Sequence, residues 1–127
     1  MHQRPTDQSD ILVVDDDPVI VEMLCEFLEF EGYAVRGAHD GLEALDAIRA
    51  HPPALVLLDV QMPYMNGSEL LEALTRTIFA DLPIIIITAS PIEAQRIANT
   101  HNVVSMTKPL DLDVLLTGVA EVLRDSA

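Results

Sequence analysis

The stretch Leu55-Val56-Leu57-Leu58-Asp59 decides the fold. Four consecutive apolar residues are too few for a free-standing helix, and they read as a strand buried on both faces that ends in a carboxylate. Asp59 is thereby placed where a buried element meets solvent. Ile11-Leu12-Val13-Val14 repeats the pattern ahead of Asp15-Asp16-Asp17, and Ile84-Ile85-Ile86-Ile87 repeats it with Thr88 in place of the acid. Strands of this kind belong to parallel sheets covered by helices, whose ligands bind at the carboxyl ends of the strands. Three strand ends therefore bring acids and a hydroxyl to one rim.

Outward from these strands the chain alternates. Pro18 suits a first helical turn, and Ile20, Met23, Leu24, Phe27 and Leu28 recur at helical spacing until Gly32 stops the helix. Tyr33 to Ala38 is a short second strand and His39-Asp40-Gly41 a turn. Leu42, Leu45 and Ile48 predict a second helix that ends before Pro52-Pro53. After a loop with Pro63 and Gly67, Ser68 can cap a third helix with Leu70, Leu71 and Leu74 inward. A poorly patterned fourth helix is expected around Glu93 to Asn99, and a fifth strand over Val103 to Thr107. Lys108-Pro109 is a fixed turn, and Asp111 caps a last helix with Val114, Leu115, Val119, Val122 and Leu123 on one face. Five strand–helix alternations predict an α/β fold: a doubly wound five-stranded parallel sheet of order 2-1-3-4-5, flavodoxin-like, with helices on both faces. Residues 1–10 carry no periodicity and read as a disordered lead, and residues 11–124 as one domain with no output domain after it.

The totals narrow the function classes. At 127 residues the chain is long enough for one domain that needs no staple, and half of it is hydrophobic with only Tyr and Phe as aromatics, which predicts an aliphatic core. The single Cys25 cannot form an internal bridge and reads as a packing residue in a reducing compartment. Met62 and Met65 likewise read as packing, and His2, His39, His51 and His101 as surface residues. Seven basic against 21 acidic side chains give a net charge of −14, which speaks against direct nucleic-acid contact and against anionic lipid. No apolar run approaches the ~20 residues of a membrane span, so no membrane insertion and a cytoplasmic location are expected.

In the 2-1-3-4-5 order the crevice falls between Asp15-Asp16-Asp17 and Asp59. Two carboxylates ~4 Å apart repel by roughly 4 kcal/mol at an effective dielectric near 20, so a cation should neutralise the cluster. Oxygen-only ligands suit Mg²⁺ or Mn²⁺, and no adjacent His or Cys set favours Zn²⁺. Lys108 supplies an ammonium from the end of the fifth strand, and Thr88 a short donor. A divalent ion, an ammonium and a hydroxyl facing one carboxylate are the parts of a phosphoryl-transfer site, in which the carboxylate can itself be the nucleophile. Asp59 stands alone at its strand end and is the expected acceptor. Asp15 and Asp16 come paired, as metal ligands do.

Ile-Leu-Val-Val-Asp-Asp-Asp-Pro at 11–18, Leu-Leu-Asp-Val-Gln-Met-Pro-Tyr-Met-Asn-Gly at 57–67, Ile-Thr-Ala at 87–89 and Lys-Pro at 108–109 resemble, in order and spacing, the motifs of receiver domains of two-component response regulators, the CheY-like superfamily. Each motif alone is weak, and the four together are specific. The resemblance implies that Asp59 accepts a phosphoryl group from a histidine kinase or phosphotransfer protein, and that the receiver domain then switches contacts with a downstream protein target. It implies Mg²⁺ held by Asp16, Asp59 and the backbone carbonyl of Gln61, with Asp15 holding the ion's water shell. Thr88 and Lys108 would bind the phosphoryl oxygens, and Gln61 and Ser90 would influence hydrolysis of the acyl phosphate.

Two departures stand out. Ser105 occupies the switch position three residues before the lysine, where the family usually has Tyr or Phe, and Asn99-Thr100-His101-Asn102 replaces a common Gly-Ala turn. A receiver-like interaction module that is never phosphorylated is therefore one competing reading. Another is an Asp-x-Asp phosphatase of the haloacid dehalogenase type, whose usual cap and longer chain have no counterpart here.

Overall fold

A computed structural model describes residues 10–60, 67–76, 81–101 and 103–125. The aliphatic runs become strands and the periodic segments helices, in the order β1 (Asp10–Val14), α1 (Pro18–Phe30), β2 (Ala34–Ala38), α2 (Gly41–Ala50), β3 (Leu55–Asp59), α3 (Gly67–Thr75), β4 (Ile84–Thr88), α4 (Pro91–His101), β5 (Val104–Thr107) and α5 (Leu112–Asp125). The five strands form one sheet of order β2-β1-β3-β4-β5. Every pairing is parallel, with Val14 opposite Leu58 and Asp59 opposite Ile87. This is the doubly wound, flavodoxin-like architecture expected.

Alternation along the central strands splits the core into two layers. Ile11, Val13, Leu55, Leu57, Ile85 and Ile87 face Leu24 and Leu28 of α1 and Leu115 and Val119 of α5. Leu12, Val14, Val56, Leu58, Ile84 and Ile86 face α2, α3 and α4 through Ala44, Ile48, Leu70, Leu74 and Ile97. Because helices cover both faces, successive strand residues are all apolar rather than alternating with polar ones. α1 ends in a Schellman turn: Gly32 has φ 101°, the Tyr33 N–H donates to the Leu28 carbonyl, and the Gly32 N–H donates to that of Glu29.

Several expected boundaries and faces shift. β1 starts at Asp10, not Ile11, so the proposed lead over residues 1–10 overlaps the strand by one buried residue. Asp10 belongs there because Arg36 pairs with it, Nε to Oδ2 at 2.9 Å. In α1 the buried residues are Val21, Leu24 and Leu28, whereas Met23 is 43% exposed. In α2 Ala44 points inward and Leu42 is 51% exposed. Val114 of α5 is likewise 55% exposed, since the contact face of α5 is centred on Leu115 and Val119. In each case the apolar stripe is narrower than the hydrophobic pattern, and its edge lies outside the contact. Helix α3 begins at Gly67, which places Ser68 inside it rather than at its cap, and the side chain of Leu71 lies outside the described residues. α4 extends past both expected ends, to Pro91 and His101. β2 and β5 each begin one residue later than expected.

Candidate functional site

The switch in chain direction between β1 and β3 places their carboxyl ends side by side, and the acids that follow them converge. One carboxylate oxygen from each of Asp15, Asp16 and Asp59 lies within 4.8 Å of the other two. Asp15 and Asp59 are buried at 5% exposure each, and Asp16 is exposed. Asp15 is fixed on two sides: its N–H donates to the Ala38 carbonyl of β2 at 3.2 Å, and its Oδ1 accepts the Asp17 N–H at 2.9 Å. Asp17, the third acid of the run, turns away to a separate task. Its side chain accepts the Val19 N–H and caps α1, with Pro18 in the first helical turn.

Lys108 brings the opposite charge. Its Nζ lies 3.6 Å from Asp59 Oδ2 and 3.7 Å from Asp15 Oδ2. The peptide to Pro109 is cis, and the Lys108 N–H donates to the Thr88 carbonyl at 2.8 Å, extending the β4–β5 ladder to the rim. Burial pushes the Asp15 carboxyl above its ordinary value, and the charges of Asp59 and Asp16 add to the rise. The Asp17 N–H and the Lys108 ammonium oppose it. Among the described residues, three carboxylates against one ammonium leave the group negative. Its all-oxygen donor set fits a hard divalent cation such as Mg²⁺ or Mn²⁺.

Thr88 ends β4, fully buried, one residue beyond the partner of Asp59 in the ladder. Its Oγ1 accepts the Ser90 N–H at 3.1 Å. Ser90 in turn caps α4, its Oγ accepting the Glu93 N–H at 3.1 Å, a role that sequence reading did not assign. The signal was present: Ser-Pro at 90–91, with Glu93 three residues after the serine, is an N-cap pattern. Ser105 is exposed on β5 opposite Ile86, away from the acidic group. Gln61, Met62 and Met65 lie outside the described residues. Asp10, Arg36 and His51 form a second charged cluster where β1 begins, at the other end of that strand from the acids, with His51 Nε2 3.6 Å from Asp10 Oδ2.

A parallel 2-1-3-4-5 sheet with acids at the switch point and a lysine beyond its last strand has clear relatives. The family model for the response regulator receiver domain matches residues 11–120, and this chain belongs to that family, the receiver domains of two-component systems. Response regulator MprA of Mycobacterium avium is 41% identical over 116 residues, covering 90% of this chain and 50% of that protein. The chain thus spans about half the length of the curated relatives it matches. Among solved structures, the receiver domain of the Francisella response regulator 1452 superposes with a TM-score of 0.87 at 28% identity, covering 94% of this chain and 99% of that one. A response regulator receiver domain protein from Methanospirillum hungatei JF-1 gives 0.85 at 31% identity, with coverage of 93% and 95%. No helix among the described residues is long and apolar enough to cross a membrane.

Proposed function

We propose that this receiver domain takes a phosphoryl group onto Asp59 from the phosphohistidine of a cytoplasmic histidine kinase or phosphotransfer protein. The supporting observation is the convergence of Asp15, Asp16 and Asp59 at one rim with the Lys108 ammonium 3.6 Å from Asp59. An Asp59 carboxylate oxygen attacks phosphorus, a P–O bond forms, and the P–N bond breaks with its electron pair going to the imidazole, which takes up a proton. The acyl phosphate so formed stays on Asp59 until water removes it.

Asp15, Asp16 and Asp59 would hold Mg²⁺ or Mn²⁺, with the Gln61 carbonyl as a further ligand implied by the family. When bound, the ion offsets charge on the transferred oxygens. Asp15, held by the Asp17 N–H, fixes the geometry from beneath. Lys108 offers an ammonium to the phosphoryl oxygens, and Thr88 offers its hydroxyl proton. Gln61 and Ser90 would influence hydrolysis of the acyl phosphate, a role implied by the family. The phosphorylated form then favours a second conformation read by a downstream protein, and the energy available is the differential interaction of the phosphoryl group with the two states. The domain is thus a phosphoacceptor that assists its own chemistry rather than a turnover enzyme, and it contacts no nucleic acid itself.

Intact-mass spectrometry after incubation with acetyl phosphate and Mg²⁺ tests this reading. A gain of about 80 Da, one phosphoryl group, is expected in the wild type and absent in Asp59→Asn or with chelator. No gain from acetyl phosphate or from a phosphohistidine donor would leave the unphosphorylated interaction module in its place.

A further inference from the structure

We infer that Asp17 is a positioning residue for the divalent cation: by capping α1 it fixes the peptide that presents Asp16 and holds Asp15, without being a ligand itself. The inference rests on the cation site of the reading above. The Asp17 N–H donates to Asp15 Oδ1 at 2.9 Å, while Asp15 Oδ2 faces the Lys108 ammonium at 3.7 Å. That N–H belongs to the planar peptide that joins Asp16 to Asp17. A rotation of this one plane therefore releases the Asp15 carboxylate and redirects the Asp16 backbone together. Asp16 is exposed, so packing does not fix it, and the backbone that carries it decides where its carboxylate lies.

The restraint on that plane comes from α1. Asp17 has φ −92° and ψ 110°, extended backbone of the kind that a following proline favours and an N-cap requires. Pro18 has no N–H to offer, and the Asp17 side chain accepts that of the next residue, Val19, at 2.9 Å. The Asp17 carbonyl accepts the Val21 N–H at 3.1 Å. One residue thus makes two bonds into the first turn of α1 and one to a carboxylate at the rim. Packing adds little there, since Pro18 and Val19 are exposed and Val21 is the first buried residue of the helix. The cap is the chief restraint on the turn, and a cation that draws Asp15 and Asp16 together works with it. By linkage, cap and cation strengthen each other by the same factor. The task needs an oxygen acceptor at position 17 and no charge, because a neutral amide caps a helix as well as a carboxylate does.

The test measures Mn²⁺ affinity on the full chain, from the EPR signal of the free ion, with no phosphoryl donor present. Asp17→Ala removes both the cap and a negative charge, whereas Asp17→Asn removes the charge and keeps the cap. Asp17→Ala is expected to weaken Mn²⁺ binding about fivefold, the size of one N-cap interaction, and Asp17→Asn to stay within about twofold of the wild type. In chelator, the amide of residue 17 should exchange faster in Asp17→Ala than in the other two proteins, which places the defect in the peptide before any metal binds. Glu43, whose N–H donates to Asp40 Oδ1 at the start of α2, serves as the reference for an intact fold. Equal weakening in Asp17→Ala and Asp17→Asn would reduce the effect to through-space charge and overturn the inference. So would wild-type affinity in Asp17→Ala. A wild type that binds no Mn²⁺ removes the cation site and this inference with it, whereas a chain that binds Mn²⁺ but takes no phosphoryl group loses the acceptor reading alone.

Discussion

Lys108 Nζ lies 3.6 Å from Asp59 Oδ2 although β4 separates the strands that carry them. Neighbouring strands are about 4.8 Å apart, so the long lysine stem and the short aspartate side chain together bridge a gap of about two strand spacings. The same ammonium lies 3.7 Å from Asp15 Oδ2, and one positive charge is shared by two buried carboxylates. The site is therefore under-neutralised, and its stability should depend on whatever else neutralises it.

Without divalent ions, Asp59→Asn should stabilise the protein by about 1 kcal/mol, because it removes repulsion between close buried carboxylates. Lys108→Met should destabilise it by a similar amount. Mg²⁺ at about 100 times its dissociation constant should raise the wild type by ~2.7 kcal/mol. That gain should largely vanish in Asp59→Asn and in Asp16→Ala. Urea unfolding with Mg²⁺ or chelator measures all four, and a less stable metal-free Asp59→Asn would refute the repulsion argument.

Asp15 predicts the sign of a pH effect. Its carboxyl is raised above the ordinary 3.8, chiefly by burial, so the folded state holds this proton more tightly than the unfolded state does. The stability it contributes is fully present below about 3.8 and is lost as pH rises through the raised folded value. In chelator, Asp15→Asn should therefore gain on the wild type as pH climbs from 4 toward 7. Denaturation midpoints at matched pH would show it, and a difference that shrinks with pH would contradict it.

The cluster at the start of β1 is structural. Arg36 gives Nε to Asp10 Oδ2 at 2.9 Å and also donates to the carbonyls of Ala47 and His51, closing the end of α2. Arg36→Met leaves Asp10 buried without its strongest partner and should cost about 3 kcal/mol. Phosphoryl uptake from acetyl phosphate should persist in the folded variant, since Asp10 and the acceptor lie at opposite ends of the sheet. A loss below about 1 kcal/mol in urea would show that Asp10 finds other neighbours.

Two glycines allow close approach of helix to strand with different tolerance. A Cβ on Gly37 would meet Val21 Cγ1 at 2.5 Å, against a stiff, buried, branched side chain. Gly37→Ala should cost about 1–3 kcal/mol. A Cβ on Gly118 would meet Met106 Cε, the end of a flexible side chain that can swing aside. There the gain of about 1 kcal/mol from alanine in a helix should roughly offset the shift. Thermal melts of the two variants should separate clearly, with Gly37→Ala the lower.

How much of this was legible from the chain depends on the range of the cause. The strands ending at Val14, Asp59 and Thr88, the helix that Asp17 and Pro18 open, and the sheet order all followed from short apolar runs, spacing and turn residues. The convergence of Asp15, Asp16, Asp59 and Lys108 followed too, because a parallel sheet sends its strand ends to one rim. Which side of each amphipathic stripe is buried did not follow. Met23, Leu42 and Val114 fit the helical period as well as their buried neighbours, and only the angle at which each helix lies on the sheet exposes them.

Sequence by itself determined the fold class and the chemical inventory of the rim, since these depend on local periodicity and on which residues end the strands. Tertiary structure alone decided that Asp10 extends β1 by pairing with Arg36, 26 positions away, that Asp15 and Asp59 share one ammonium, and that Ser90 joins Thr88 to α4. Each of these depends on distances between segments remote in the chain or on the exact path of a connection, and residue order carries neither until the helices have packed.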